Sequence, residues 1–252
     1  MKRVRLGGLI DVIKVDCPEE IDELMRSPLV DRRFDSHGPI VNVLFLRHIL
    51  GVFTYRGKRF PAMSPKECPT RARKQDALWT TLNDKAAMVK EGPEELEGLA
   101  QWLKGTGNEH ELGILVQQAV GSLFSSSYAA TSESWAAALA LDAAPRTSNP
   151  LKLLWWSLTG KVRKAKELLA SKVNDDLLGV HGTGIALHNI VKSFHHMRTL
   201  YCDIGRRSML SSEEVSRQCL FAPASVLRQA TGAGELAKCP FSKQSLFIVA
   251  LG

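Results

Sequence analysis

The stretch Asn174-Asp-Asp-Leu-Leu-Gly-Val-His-Gly-Thr-Gly-Ile-Ala-Leu-His-Asn-Ile-Val-Lys-Ser-Phe-His-His-Met-Arg-Thr-Leu-Tyr201 is the longest periodic segment of the chain. Leu177, Val180, Leu187, Ile190, Val191, Phe194, Met197 and Tyr201 recur near the 3.6-residue helical period, which predicts a long helix buried along one side. Gly179, Gly182 and Gly184 fall in its first half. Each costs about 1 kcal/mol relative to alanine in a helix interior, so their presence points to close approach by a neighbour or ligand, or to a local kink. His181, His188 and His195 are seven residues apart. That spacing separates the rings by roughly 10 Å along a helix, too far for one metal ion, and the segment has no H-E-x-x-H pattern. These histidines therefore read as structural or pocket-lining.

Toward the N-terminus, 151–171 reads as a helix with Lys/Arg on its outer face, preceded by a polar linker from Pro145 to Pro150. Amphipathic patterns predict helices over 112–128 and 132–143. From Arg71 to Leu103 the chain reads as helical, with Leu78, Trp79, Leu82, Ala86 and Val89 at helical spacing, a break at Gly92-Pro93 and a second helix from about Glu94 to Lys104. Residues 31–75 are rich in Arg, Gly and Pro and read as irregular, with an apolar segment at 40–53. Residues 9–15 read as a strand, and Asp16-Cys17-Pro18-Glu19-Glu20 opens a short helix over 18–26, closed by Pro28. Toward the C-terminus a short helix (212–221) precedes Pro223, and Leu246 to Leu251 reads as a continuous apolar strand.

At 252 residues, with 44% apolar and 23% charged residues, the chain fits a globular protein and is read as a single domain over 1–252. No apolar run approaches the roughly 20 residues of a bilayer span, so no membrane partner is expected and the cytoplasm is the default location. The net charge of +7 is unevenly distributed: residues 1–75 carry 15 Lys/Arg against 9 Asp/Glu, 76–150 carry 4 against 10, and 151–252 carry 14 against 7. Such alternation favours docking to an acidic partner over nucleic-acid binding. The five cysteines (17, 68, 202, 219, 239) show no C-x-x-C spacing, which argues against a disulfide framework or zinc site. There is no G-x-S-x-G elbow, and no G-x-G-x-x-G follows a strand.

The C-terminal third carries Gln218-Cys-Leu-Phe-Ala-Pro223, Val226-Leu-Arg-Gln-Ala-Thr231, Gly234-Glu-Leu236 and Pro240-Phe-Ser-Lys-Gln-Ser-Leu246 in order. This order resembles the cytochromes P-450, the haem-thiolate monooxygenases, from the E-x-x-R helix into the adjoining sheet. Gly179-Val-His-Gly-Thr-Gly184, about 35 residues upstream, resembles that family's oxygen-binding helix. The likeness is best over 175–251 and extends to 9–28.

The resemblance implies a mainly α fold with a small β-sheet (α+β), haem as cofactor, and monooxygenation or peroxygenation of a small apolar substrate. An acidic ferredoxin or flavodoxin-like protein would donate electrons. Thr183, with His181 and Gly182 before it, would sit at the oxygen-activating position; otherwise its hydroxyl bonds back to a carbonyl of its own helix. Arg228 would bind a haem propionate, with Arg71 and Arg73 as further propionate ligands; otherwise Arg228 serves in an ion pair. The sequence departs from the family pattern in three places. Gly182 replaces the usual acidic residue, and Gln218 and Phe221 occupy the E-x-x-R positions, while Glu214-Val-Ser-Arg217 lies too far upstream. The iron-ligand loop would lie beyond Gly252, which suggests a C-terminally truncated, inactive chain. Cys239 lacks the flanking glycines of such a loop and lies on the wrong side of the last strand. The competing reading is a non-catalytic helical ligand-binding or protein-interaction domain.

Overall fold

The computed structural model describes residues 1–31, 37–59, 94–105, 111–146, 150–202, 211–219 and 225–250, and single helical positions at 76, 80, 81, 83, 84 and 87. The chain is mixed α/β, with many helices and a small sheet, and divides into two compact units. One comprises Met1–Lys74 with Ala222–Gly252, and the other Gln75–Phe221.

The first unit is built on a five-stranded sheet of order β1-β2-β9-β6-β3. Strands β1 (Lys2–Leu6) and β2 (Ile10–Val15) form a hairpin through Gly7-Gly8-Leu9, with Gly7 at φ +45°. The last described strand, β9 (Leu246–Ala250), inserts parallel to β2, pairing Val12 with Leu246 and Val15 with Val249. On its other side β9 runs antiparallel to β6 (Ser225–Ala230), which pairs with β3 (Val30–Asp31). A central strand covered on both faces must be apolar throughout, which explains the Leu-Phe-Ile-Val-Ala run. Helix α1 (Pro18–Arg26) follows β2 as expected, with Pro18 in its first turn. Its cap is Cys17 rather than Asp16, whose carboxylate pairs with Lys14 at 3.2 Å. Leu24 of α1 joins Ile13, Val15, Phe241, Phe247 and Val249 in the core. The described residues of the unit also form two small hairpins: β4 (Thr54–Tyr55) with β5 (Lys58–Arg59), and β7 (Gly234–Leu236) with β8 (Cys239–Phe241).

Part of the region read as irregular is a regular helix, α2 (Ile40–Val52). Its inward face buries Asn42, Leu46, Ile49 and Val52, while Ile40, Val41 and Leu44 are exposed. With apolar residues on both faces, the amphipathic signature that identifies a helix from sequence is missing.

The second unit is helical. Helices α3 (Glu94–Leu103), α4 (Leu112–Ser122) and α5 (Ser132–Ala143) lie close to their predicted starts. Helix α4 ends before 128, and α5 opens with a reciprocal cap in which Thr131 and Ser134 each accept the other's backbone N–H. The helix read over 151–171 is two helices, α6 (Pro150–Thr159) and α7 (Lys161–Lys172), separated by Gly160 at φ +62°. The long glycine-bearing segment begins with α8 (Leu177–Val180), continues through a π turn over His181–Ile185, and runs on as α9 (Leu187–Cys202). A last helix, α10 (Ser212–Cys219), follows. Trp102 is fully buried at the centre of this unit with Leu99, Leu112, Val116, Leu187 and Val191. The rest of the helix read over 71–93 lies outside the described residues. Among the described residues no helix is long and apolar enough to cross a membrane.

Candidate functional site

Asp175 and Asn174 reverse the chain after α7 in left-handed conformations, at φ +59° and +53°, a region asparagine and aspartate tolerate better than most residues. Asp176 then caps α8, its Oδ1 accepting from Leu178 N at 2.8 Å and Gly179 N at 2.9 Å. Four residues later the ladder widens, and Ala186 N–H donates to the His181 carbonyl, five residues back, at 2.9 Å. Such π turns recur at functional sites, which makes this turn the natural focus for a site.

The turn holds three of the sequence-predicted residues together: His181, Gly182 and Thr183. Thr183 is fully buried, and its hydroxyl donates to the Gly179 carbonyl at 2.7 Å. Its own carbonyl accepts from Gln117 Nε2 at 2.8 Å. The same Gln117 amide donates to the Ser134 carbonyl at 3.0 Å, and its oxygen accepts from Ser134 Oγ at 2.6 Å. Gln117 is also fully buried, so α4, α5 and the π turn are clamped by one amide. Tyr128 lies alongside, its ring against Gly121 where no Cβ would fit. Burial pushes its phenol up to about 12, with the neighbouring Thr183 and Ser134 side chains acting in the lowering direction. Gln117, Ser134 and Tyr128 were not singled out by sequence reasoning. The available signal was the Gln117-Gln118 pair within the apolar run of α4.

His181 is largely buried, and desolvation lowers its pKa to about 4. The folded value lies below the ordinary 6.5, so the unfolded chain binds more protons between those limits. Stability from this group is therefore full above pH 6.5 and declines as pH falls through about 4, by on the order of 3 kcal/mol in all. Denaturant melts of His181→Gln from pH 4 to 7 are expected to show a shallower pH slope than the parent. Equal slopes would remove His181 as the cause.

The other expected residues belong to other elements or fall outside the described residues. Arg228 is on β6, buried, with Nη1 donating to the Leu227 carbonyl at 2.7 Å. Cys239 opens β8 as a free, half-buried thiol and interacts with the Arg3 guanidinium. Arg71 and Arg73 lie outside the described residues. Glu214 is engaged at the start of α10, where its Oε2 accepts from Ser211 N at 2.7 Å and Ser211 Oγ at 2.8 Å. No cluster of three or more His, Cys, Asp or Glu suited to a metal occurs among the described residues.

Haem, the cofactor the resemblance implies, does not fit the described faces of this turn. A Cβ added at Gly179 would lie 2.9 Å from Val173 and 3.1 Å from Phe124; at Gly184 it would lie 2.8 Å from Leu169 and 2.9 Å from Leu141. At Gly182 the nearest atoms are Val120 at 3.3 Å and Phe124 at 3.5 Å. Faces too close for a methyl group at Gly179 and Gly184 do not admit a porphyrin edge. The glycines therefore serve close side-chain packing from within the chain. No protein-family model matches the sequence, and neither the curated proteins nor the solved structures include a match.

Proposed function

We propose that the chain is a non-catalytic helical interaction domain built on a P-450-like sequence, in a cytoplasmic setting. The observation that carries this reading is the packing around Thr183. Its hydroxyl bonds back to its own helix, and side chains of the same chain fill the faces of all three glycines. A residue that activates oxygen needs an open face and a free hydroxyl in contact with the reacting atoms. Thr183 is buried in a clamp that stabilises the fold.

The second reading is a haem-dependent oxidoreductase of the cytochrome P-450 type, acting on a small apolar substrate with an acidic ferredoxin or flavodoxin-like donor. It is favoured by one feature, the π turn at the threonine position of the resembling helix. Visible spectra of protein expressed with haem supply separate the two. The interaction-domain reading expects no Soret band. A thiolate-type band in the reduced, carbon-monoxide-treated sample would overturn it, and a histidine-type band would direct attention to His181 or His188.

A further inference from the structure

The β1–β2 turn and the first turn of α2 form one exposed apolar face. Ile40 N donates to the Gly8 carbonyl at 3.2 Å and Val41 N to the Leu9 carbonyl at 2.8 Å, so donors left over at the start of α2 are satisfied by the hairpin. The buried Asn42 fixes the junction, accepting from Asp11 N at 3.2 Å and donating to the Asp11 carbonyl at 2.7 Å. On this platform Leu6, Leu9, Ile40, Val41 and Leu44 are 43–61% exposed. Single exposed aliphatics are ordinary, whereas a contiguous group marks an interaction surface.

Among the described residues the exposed charge around this face has one sign. Residues 1–10 and 37–59 contain no Asp or Glu, and carry Lys2, Arg3 and Arg5 in the first stretch and Arg47, Arg56, Lys58 and Arg59 in the second. Arg5 and Arg47 are exposed beside the aliphatic residues. Asp11, which follows Ile10 on β2, is buried and paired with Arg3 at 2.9 Å, and Asp16, Glu19, Glu20 and Glu23 follow the far end of β2, about 17 Å away at strand spacing. That is roughly two screening lengths at physiological salt, so the apolar end meets its surroundings as a cation.

We propose that this face docks peripherally on an anionic phospholipid membrane. Exposed aliphatics beside Arg and Lys, with no exposed acidic group among the described residues there, match the acyl boundary and headgroups of such a surface. Protein-facing patches draw more on aromatic residues, which the exposed members of this face lack. The contact is interfacial, because α2 has 13 residues and its opposite face is buried in the unit. The proposal is independent of the haem question.

Flotation of the full chain with vesicles tests it. Binding is expected to vesicles of equal parts phosphatidylcholine and phosphatidylserine, and not to phosphatidylcholine alone, with release in about 0.5 M NaCl. Leu9→Ser with Leu44→Ser, and separately Arg5→Glu with Arg47→Glu, should each lower the partition coefficient by about tenfold or more. Trp155→Ser with Leu158→Ser, at a second exposed apolar position on α6, should leave it unchanged. Circular dichroism checks that each variant is folded, and the arginine pair carries the test if the leucine pair is not. Three results would overturn the proposal: no flotation with the anionic vesicles, equal binding by the patch variants, or a sedimenting dimer that Leu9→Ser with Leu44→Ser dissolves. The last would assign the face to a second copy of the chain.

Discussion

Asp11→Ala is expected to destabilise the sheet unit by about 1.5–3 kcal/mol, the contribution of hydrogen bonds to a charged group that is buried on one side of its ion pair. The carboxylate is almost inaccessible on β2 and holds Arg3 through two bonds of 2.9 Å each, Nε to Oδ1 and Nη2 to Oδ2. Ser245 Oγ donates to Oδ2 at 2.5 Å. Hydrogen bonding to Asp11 holds the Arg3 guanidinium above its ordinary range, with burial acting against it. Removing the carboxylate leaves a part-buried guanidinium and a buried hydroxyl each short of a partner. The expected readout is faster amide exchange in β2 and β9 and a lower denaturation midpoint. Arg3→Met combined with Asp11→Leu should recover much of the loss, since replacing both charges removes the stranded one. A loss below about 1 kcal/mol for Asp11→Ala would mean that the pair behaves as a surface salt bridge.

Gln117→Leu is expected to cost the helical unit about 2–5 kcal/mol. The substitution keeps side-chain bulk but strips hydrogen bonds from the Ser134 and Thr183 carbonyls and from Ser134 Oγ. Each buried polar group left short costs about 1–3 kcal/mol. Ser134 Oγ keeps its bond to the Thr131 carbonyl at 2.9 Å, so the two carbonyls carry most of the effect. All five tryptophans (79, 102, 135, 155, 156) lie within Gln75–Phe221, so fluorescence-monitored denaturation follows this unit. A midpoint within error of the parent would show that the amide is dispensable to the clamp.

The elements legible in the sequence are those whose determinants are local. Proline and two acids at the start of α1 and the unbroken apolar run of β9 each identify their element within a few residues. Gly160 divides α6 from α7 because the chain there adopts a left-handed conformation, and a single glycine among helix formers does not announce its φ. Helix α2 was missed because apolar residues occupy both its faces. The glycines at 179, 182 and 184 were correctly read as a sign of close approach or a kink. What approaches them, Phe124, Val120, Leu169, Leu141 and Val173, comes from other elements and could not be assigned from the segment alone.

Residue types and short-range order were enough to determine a chain of many helices with a small sheet, to exclude helical metal chelation by histidines seven residues apart, and to locate the segment where the helix is distorted. Three things were decided only by the tertiary structure. The Thr183 hydroxyl turns back onto Gly179, Gln117 reaches across to the π turn, and two acid-free segments distant in sequence meet at the Leu9–Val41 junction to form one exposed apolar face. The physical reason is common to all three. Helix and strand preferences act over a few residues, whereas burial, the pairing of buried polar groups and the joining of surface patches depend on which elements the chain brings together.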